Sequence, residues 1–573
     1  MREKNYGFKE FKFLIKKFIE DKVIFSIGIL SRIVSTFLSL YLTYRIKDFI
    51  DGFSQMLNRN NLLMELFIFF IFQIILVVIS TYIMEIVGIQ VVTNLKKSLF
   101  SKILYLDKKS LDNNISERKS LKLIDDTDLI YKVISKHLSQ TIGAIVSVII
   151  SLVVLFSIDF RLTAITLGIL LLCILLIYPL SKKNLLLHKQ MMKESEKLND
   201  FSKDIIENNG LIKAFGTEES TIRHGNRLIN SSVRKTLKQV QIMAILSPVI
   251  RIIIIGITFI VLALGGIRVS TKLMTIGELL IFIMYMIQIL ISTFTILTTL
   301  ALKDDIKNST ERLSNIFNEE VEQSGDELLN NKEFSLEFKD VSFRYDLTQS
   351  NIISEFNLKV DDKEKICLTG PKNSGKSTLF KLLERFYRLD SGEILVNNIN
   401  IEDISLENLR ENIGYISKDL PLISGSIREN ILYGTNKYIP DNIILKYCRF
   451  VGLYEFIESR EDGLDTIIGK KGVVIGEDEK LKISFVRALI KKPTILLIDD
   501  TLYNLSNNFD LNSIIDNLYN EMTMIIITED IDIISDCDRV IYMENGKIDA
   551  IGSHEKLIVN NESYANFIEN KLN

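Results

Sequence analysis

Six stretches of unbroken apolar sequence dominate the first 300 positions: 23–46, 62–86, 141–158, 162–180, 242–267 and 276–300. Each is long enough to cross a hydrocarbon core of ~30 Å as a helix, which takes about 17 to 25 residues. Asp159, Phe160 and Arg161 alone divide the third from the fourth, which predicts a tight helical hairpin. An even number of spans returns both ends of the segment to one side. Past residue 300 the pattern changes. A polar stretch, NEEVEQSGDELLNN (318–331), reads as a linker. Strand-like runs (FSLEFKDVSFRY, EKICLTG, TILLIDD) then alternate with helix-like ones, which predicts an α/β domain around a largely parallel sheet. The expected organisation is a six-span α-helical membrane domain over 1–317, the linker over 318–331 and the α/β domain over 332–573.

Composition agrees with a membrane-embedded part: 47 % of the 573 residues are hydrophobic and mean hydropathy is +0.21. A prior of ~150 residues per domain also asks for more than one domain. The net charge of -3 gives no sign of a nucleic-acid partner. Lysine and arginine set the expected orientation. Residues 92–135 hold nine and 182–240 hold twelve, against one in 51–61 and two in 266–276. By the positive-inside tendency, the long loops and both termini are expected in the cytoplasm, with the chain in the cell (cytoplasmic or inner) membrane. The long loops are expected to continue the spans as helices and to carry short docking elements near 112–119 and 213–220. The first 22 residues lack a signal-peptide pattern. They read as an amphipathic surface helix, with Phe8, Phe11, Phe13 and Ile15 set among lysines. Cys173, Cys367, Cys448 and Cys537 are too scattered for a disulfide framework or a metal site and read as small core residues.

The chemistry concentrates in GPKNSGKST, Gly370 to Thr378, which fits G-x-x-x-x-G-K-[ST] between a predicted strand and a predicted helix. Backbone N–H groups of Gly370, Pro371's successors Lys372, Asn373, Ser374 and Gly375, and the helix start at Lys376, Ser377 and Thr378 suit phosphate oxygens. Lys376 would reach the terminal phosphates of ATP, and Ser377 would offer its hydroxyl to Mg²⁺. ILLIDD delivers Asp499 as a second Mg²⁺ oxygen donor.

Six spans with helical extensions followed by this domain resemble a half-transporter of the ATP-binding cassette (ABC) exporter family, over nearly the whole chain. VSFRY (341–345) is similar to the family's opening strand, whose aromatic stacks on adenine. Tyr345 therefore carries that expectation beside the plain one of a strand aromatic. The segments 413–434 and 538–558 resemble the family's glutamine-loop region and closing strands. The resemblance implies ATP and Mg²⁺ as cofactors and a second half-transporter as partner, with a heterodimer favoured over a homodimer.

Several positions depart from the family pattern. Where the family closes the partner's site with a serine and glycines, this chain has IGEDE (475–479). Two like charges ~4 Å apart at an effective dielectric of ~20 repel by about 4 kcal/mol. A helix N-terminus returns at most ~2 kcal/mol. The same acids would also stabilise their own helix through its dipole, and the two readings are compatible. Asp500 stands where the resemblance implies the catalytic glutamate, and Glu529 where it implies the switch histidine. Lys418 replaces the loop glutamine, either as a solvated lysine or as a positive charge near phosphate; Ser506 replaces an aspartate. Arg32 and Arg251 lie within spans, where they either snorkel or line a cargo cavity. The expectation is an exporter subunit for peptide, lipid or drug-like cargo that binds ATP at a degenerate site. Its alternative is a non-transporting, ATP-sensing membrane regulator or immunity-type protein. An importer fits the order of domains less well, and no leader-processing protease domain is expected.

Overall fold

The computed structural model describes residues 16–51, 59–110, 126–329, 334–346, 350–417, 421–435, 437–469, 472–499, 511–518 and 521–572. The surface helix read in the first 22 residues and the docking element near 112–119 thus fall mostly or wholly outside the described residues. The chain divides into two compact units. One comprises Met1–Phe100 with Leu121–Phe317, and the other Ser101–Ser120 with Asn318–Asn573.

The first unit is helical. Among the described residues, five helices are long and apolar enough to cross a membrane: Lys22–Asp51, Leu63–Leu104, Asp126–Ile158, Glu218–Ser270 and Ile276–Asn318. The remaining expected span, 162–180, lies in the 48-residue helix Phe160–Glu207, whose described apolar stretch is Phe160–Leu172. A single extended residue, Asp159, separates this helix from Ser139–Ile158, a shorter joint than the three residues expected. Its carboxylate accepts from Leu162 N–H and pairs with Arg268 at 3.2 Å, so the joint is also the cap of the next helix. Near 213–220 the chain turns as expected, through a short helix, Asn209–Ala214, and Gly216 in the left-handed region.

Two cores hold the helices together. Around Tyr285, Phe282 and Ile281 of the helix Ile276–Ala301 pack Leu40, Leu155 and Leu162. A second cluster gathers Val87, Val91, Leu95, Ile130, Ile134, Ile306 and Leu313. Several polar groups between the helices find acceptors, which a low-dielectric interior favours, although Ser151 Oγ and Arg32 Nε are buried without a hydrogen bond. Tyr285 donates to Leu40 O at 2.6 Å and Ser80 to Gly28 O at 2.8 Å. Asp51 reaches across sequence to cap Ile276–Ala301, accepting from Thr275 Oγ1 at 2.6 Å and Gly277 N–H at 2.9 Å. Arg32 lies against Gly143, where a Cβ would stand 3.2 Å from its Nε, whereas Arg251 is exposed.

In the second unit the core sheet has six strands in the order Lys547–Gly552, Arg539–Glu544, Lys365–Thr369, Thr523–Ile527, Ile495–Ile498, Ile413–Ile416. All neighbours are parallel except the first pair. The three central strands are buried along their whole length, which is why they read as continuous apolar runs. A separate antiparallel sheet orders Ile353–Val360, Leu336–Phe343, Ser391–Val396 and Ile399–Asn400. Cys367, Cys448 and Cys537 are buried in the apolar core.

The polar stretch after residue 318 is a strap. Val321 bridges Leu106, Glu322 N–H donates to Tyr105 O at 2.9 Å, and Glu327 pairs with Ile404. Arg410 holds Glu322 through both its amino groups, at 2.9 and 2.8 Å.

Asp126 supplies a test of how the first unit's helices are tied. It is 3 % exposed and accepts from Ser309 Oγ at 2.7 Å and from the Arg312 guanidinium. Asp126→Ala should destabilise that unit by about 1–3 kcal/mol, read as a lower thermal midpoint in detergent. An unchanged midpoint would show that the ion pair is ornamental.

Candidate nucleotide-binding site

The strand Lys365–Thr369 runs fully buried into Gly370, and the next helix begins at Lys376. Two glycines are forced by geometry. Gly370 has φ +143°, and a Cβ there would lie 2.1 Å from Met543 O. Gly375 has φ +99°, with Ile353 Cδ1 2.5 Å and Ile352 O 2.9 Å from its would-be Cβ. Asn373 sits at φ +64°. Asparagine tolerates this left-handed conformation better than most residues, so the loop keeps its path.

Lys376 is 8 % exposed and its ammonium spans the loop, donating to Gly370 O at 2.7 Å, Pro371 O at 2.8 Å and Ser374 Oγ at 3.1 Å. Lys372 and Asn373 face solvent, while Ser374 and Thr378 are buried. The loop therefore places a desolvated cation beside the start of an eight-residue helix, a combination suited to a polyanion.

Ser377 donates to Asp499 Oδ1 at 3.1 Å. Asp499 is 7 % exposed and follows the strand Ile495–Ile498. The two expected Mg²⁺ ligands are thus side by side. Their donor set, one hydroxyl and one carboxylate, fits a hard cation that takes its remaining ligands from phosphate and water. Among the described residues no cluster of three or more His, Cys, Asp or Glu forms a protein-only metal cage, which Mg²⁺ bound this way does not need.

Tyr345 packs among aromatics beside the opening strand. Its ring packs edge-on against Phe343 and Tyr387, with centroids 5.0 Å away in each case. Its hydroxyl lies 3.1 Å from Thr378 Oγ1, on the phosphate-loop helix. Lys418, Asp500 and Ser506 fall outside the described residues.

The acidic segment begins a helix as the sequence indicates. Gly476 caps Glu477–Leu489, and Glu477, Asp478 and Glu479 form its first turn. Glu477 pairs with Lys480 at 2.6 Å, and Glu479 Oε2 folds back over Gly476, 2.5 Å from where a Cβ would stand. This is the dipole-stabilising geometry of acids at a helix start.

Glu529 follows the strand Thr523–Ile527 and Thr528. Its carboxylate forms an ion pair with Lys571 of the helix Glu562–Leu572, and only 11 % of its side chain is exposed. Sequence reading gave Lys571 no role, because the partners are 42 residues apart and share no motif. It equally missed Glu384, which caps the phosphate-loop helix at its far end. Burial pushes the Glu384 carboxyl up to about 7, against the pull of Arg410 and Lys491. Burial in turn lowers Lys491.

A helical membrane region joined to this phosphate-loop domain has the architecture of an ATP-driven transporter. The chain belongs to the ABC transporters: the family model for the ABC transporter transmembrane region matches residues 24–294, and the ABC transporter model matches 353–503. It is a multi-pass membrane protein of exporter type, a half-transporter with its ATP-binding domain fused behind the membrane domain. A multidrug resistance ABC transporter ATP-binding and permease protein of Lactococcus lactis subsp. lactis (strain IL1403) is 26 % identical over 569 residues, covering 98 % of this chain and 96 % of the relative. An ATP-dependent lipid A-core flippase of Thiobacillus denitrificans (strain ATCC 25259 / T1) is 26 % identical over 497 residues, 85 % of each chain. The structure of a bacterial Atm1-family ABC exporter with ATP bound superposes with a TM-score of 0.80 at 19 % identity, over 96 % of this chain and 99 % of that one.

The buried Glu384 predicts a pH effect. Its carboxyl ionises near 4.5 when unfolded and near about 7 when folded, so the native state holds the proton more tightly between these values. Stability should fall as pH rises through that window, by a quantity on the order of 3 kcal/mol. Thermal midpoints between pH 5 and 8 should show a downward slope that Glu384→Gln reduces; equal slopes in both proteins would refute the assignment.

Proposed function

We propose that this chain is the catalytically degenerate, ATP-binding half of an exporter in the cell membrane, with both termini cytoplasmic. It works beside a second half-transporter, in a heterodimer. One contrast carries the reading. The phosphate loop is complete, with Lys376 desolvated and Ser377 joined to Asp499, while acids occupy the positions that the family uses to close on and hydrolyse ATP.

In this scheme the phosphates of ATP replace the loop carbonyls as acceptors for Lys376, and N–H groups from Gly375 to Thr378 orient the terminal oxygens. Ser377 and Asp499 would hold Mg²⁺, which supplies charge neutralisation between the phosphates. Asp500 carries a carboxylate one methylene shorter than glutamate, and misplacement of that order can slow a reaction by ~10²-fold. In this reading the membrane domain takes 1–317, a linker 318–331 and the ATP-binding domain 332–573. Relatives named for multidrug resistance and for lipid A keep the cargo within drug-like and lipid classes as well as peptides.

The purified chain in lipid should bind Mg·ATP with negligible turnover, and Lys376→Ala should abolish binding. Asp500→Glu should raise turnover. Brisk hydrolysis by the wild-type chain alone, as a homodimer and lost in Lys376→Ala, would sink the proposal.

A further inference from the structure

Glu529 stands in a place where an uncompensated carboxylate is hard to reconcile with a bound triphosphate. The strand Thr523–Ile527 lies between Lys365–Thr369, which leads into the phosphate loop, and Ile495–Ile498, which leads into Asp499. In register, Ile527 is level with Leu368, and Ile526 with Ile498. Neighbouring strands are ~4.8 Å apart and each residue advances ~3.3 Å. Glu529, two residues past the strand, therefore emerges on the same sheet edge as Gly370 and Asp499, between them.

The chain answers that charge from elsewhere. Lys571 meets Glu529 in an ion pair, with 30 % of the lysine side chain exposed. It also lies 6.0 Å from the Phe567 ring. The helix that presents it is anchored rather than loose. Tyr564 is fully buried and Ile568 nearly so, and Tyr542 of the core sheet packs on Tyr564 and on Phe567, each at 5.6 Å. Tyr564 also hydrogen-bonds His554 Nδ1 at 2.6 Å. The other acid beside Glu529, Asp530, is occupied in capping the next helix through Asp532 N–H.

We propose that Lys571 is a specificity-determining residue of the nucleotide site: by pairing with Glu529 it cancels the carboxylate at the sheet edge, so that the site accepts the γ-phosphate of ATP. This rests on the reading that the phosphate loop binds ATP. Unpaired, Glu529 would act mainly on the γ-phosphate, the group that distinguishes ATP from ADP. The helix Glu562–Leu572 would then be part of the nucleotide site although it carries none of the motifs that define it.

The test is binding of Mg·ATP and Mg·ADP to the full chain in lipid, for wild type, Lys571→Gln, Glu529→Gln and the double variant. Lys571→Gln should weaken Mg·ATP by about tenfold, equivalent to about 1.4 kcal/mol, and Mg·ADP much less. Adding Glu529→Gln should restore ATP affinity, because the charge that needed cancelling is gone. Unchanged ATP affinity in Lys571→Gln would overturn the proposal. So would equal weakening of both nucleotides with no recovery in the double variant, which is the signature of a merely structural helix. Wild type that binds neither nucleotide would overturn the ATP reading, and this proposal with it.

Discussion

A polyanion can be held in a protein only where the negative charges around it are few, paired or spent on something else, and the second unit is arranged around that demand. Lys376 is buried at the loop with three oxygen acceptors of its own. Asp499 is turned toward the Ser377 hydroxyl, Glu529 is matched by Lys571, and Asp530 caps a helix. Glu384, at the far end of the phosphate-loop helix, has its carboxyl pushed up to about 7 by burial. The acids at 477–479 are a different case. They reinforce the helix they begin, and Lys480 answers only part of their charge.

The membrane unit obeys the complementary rule. Where water is excluded, several hydroxyls serve backbone carbonyls: Tyr285 to Leu40, Ser80 to Gly28, and Thr163 to Leu155 and Asp159. Carboxylates appear at helix ends, where Asp51 and Asp159 act as caps and can be reached by Thr275 and Arg268. Arg32 lies close against Gly143, where a Cβ would stand 3.2 Å from its Nε.

What could be read from the sequence was whatever has a local period or a fixed spacing. The spans follow from length and hydropathy, the core strands from uninterrupted apolar runs, and the phosphate loop from the spacing of Gly370, Gly375 and Lys376. The Ser377–Asp499 pair was legible because each partner belongs to its own motif. Partnerships between unmarked residues were not: Glu529 with Lys571, Glu322 with Arg410, and Asp126 with Arg312 are 42, 88 and 186 residues apart. Residues 318–331 were read as a linker from composition alone. Polarity does not distinguish a stretch that is solvated from one whose backbone is bonded to its neighbours.

That strap changes what kind of mechanical element joins the fused domains. A flexible tether transmits force only when pulled taut and tolerates insertions of any modest length. Residues 319–329 are instead pinned at intervals, by Tyr105, Lys102 and Asp107 on one side and by Asp403, Ile404 and Ser405 on the other. Gly325 passes so close to Asp403 that a Cβ would sit 2.0 Å from its carbonyl oxygen. Segments bonded at such short intervals belong to the fold of the second unit, where each backbone hydrogen bond must open before the chain there can be released.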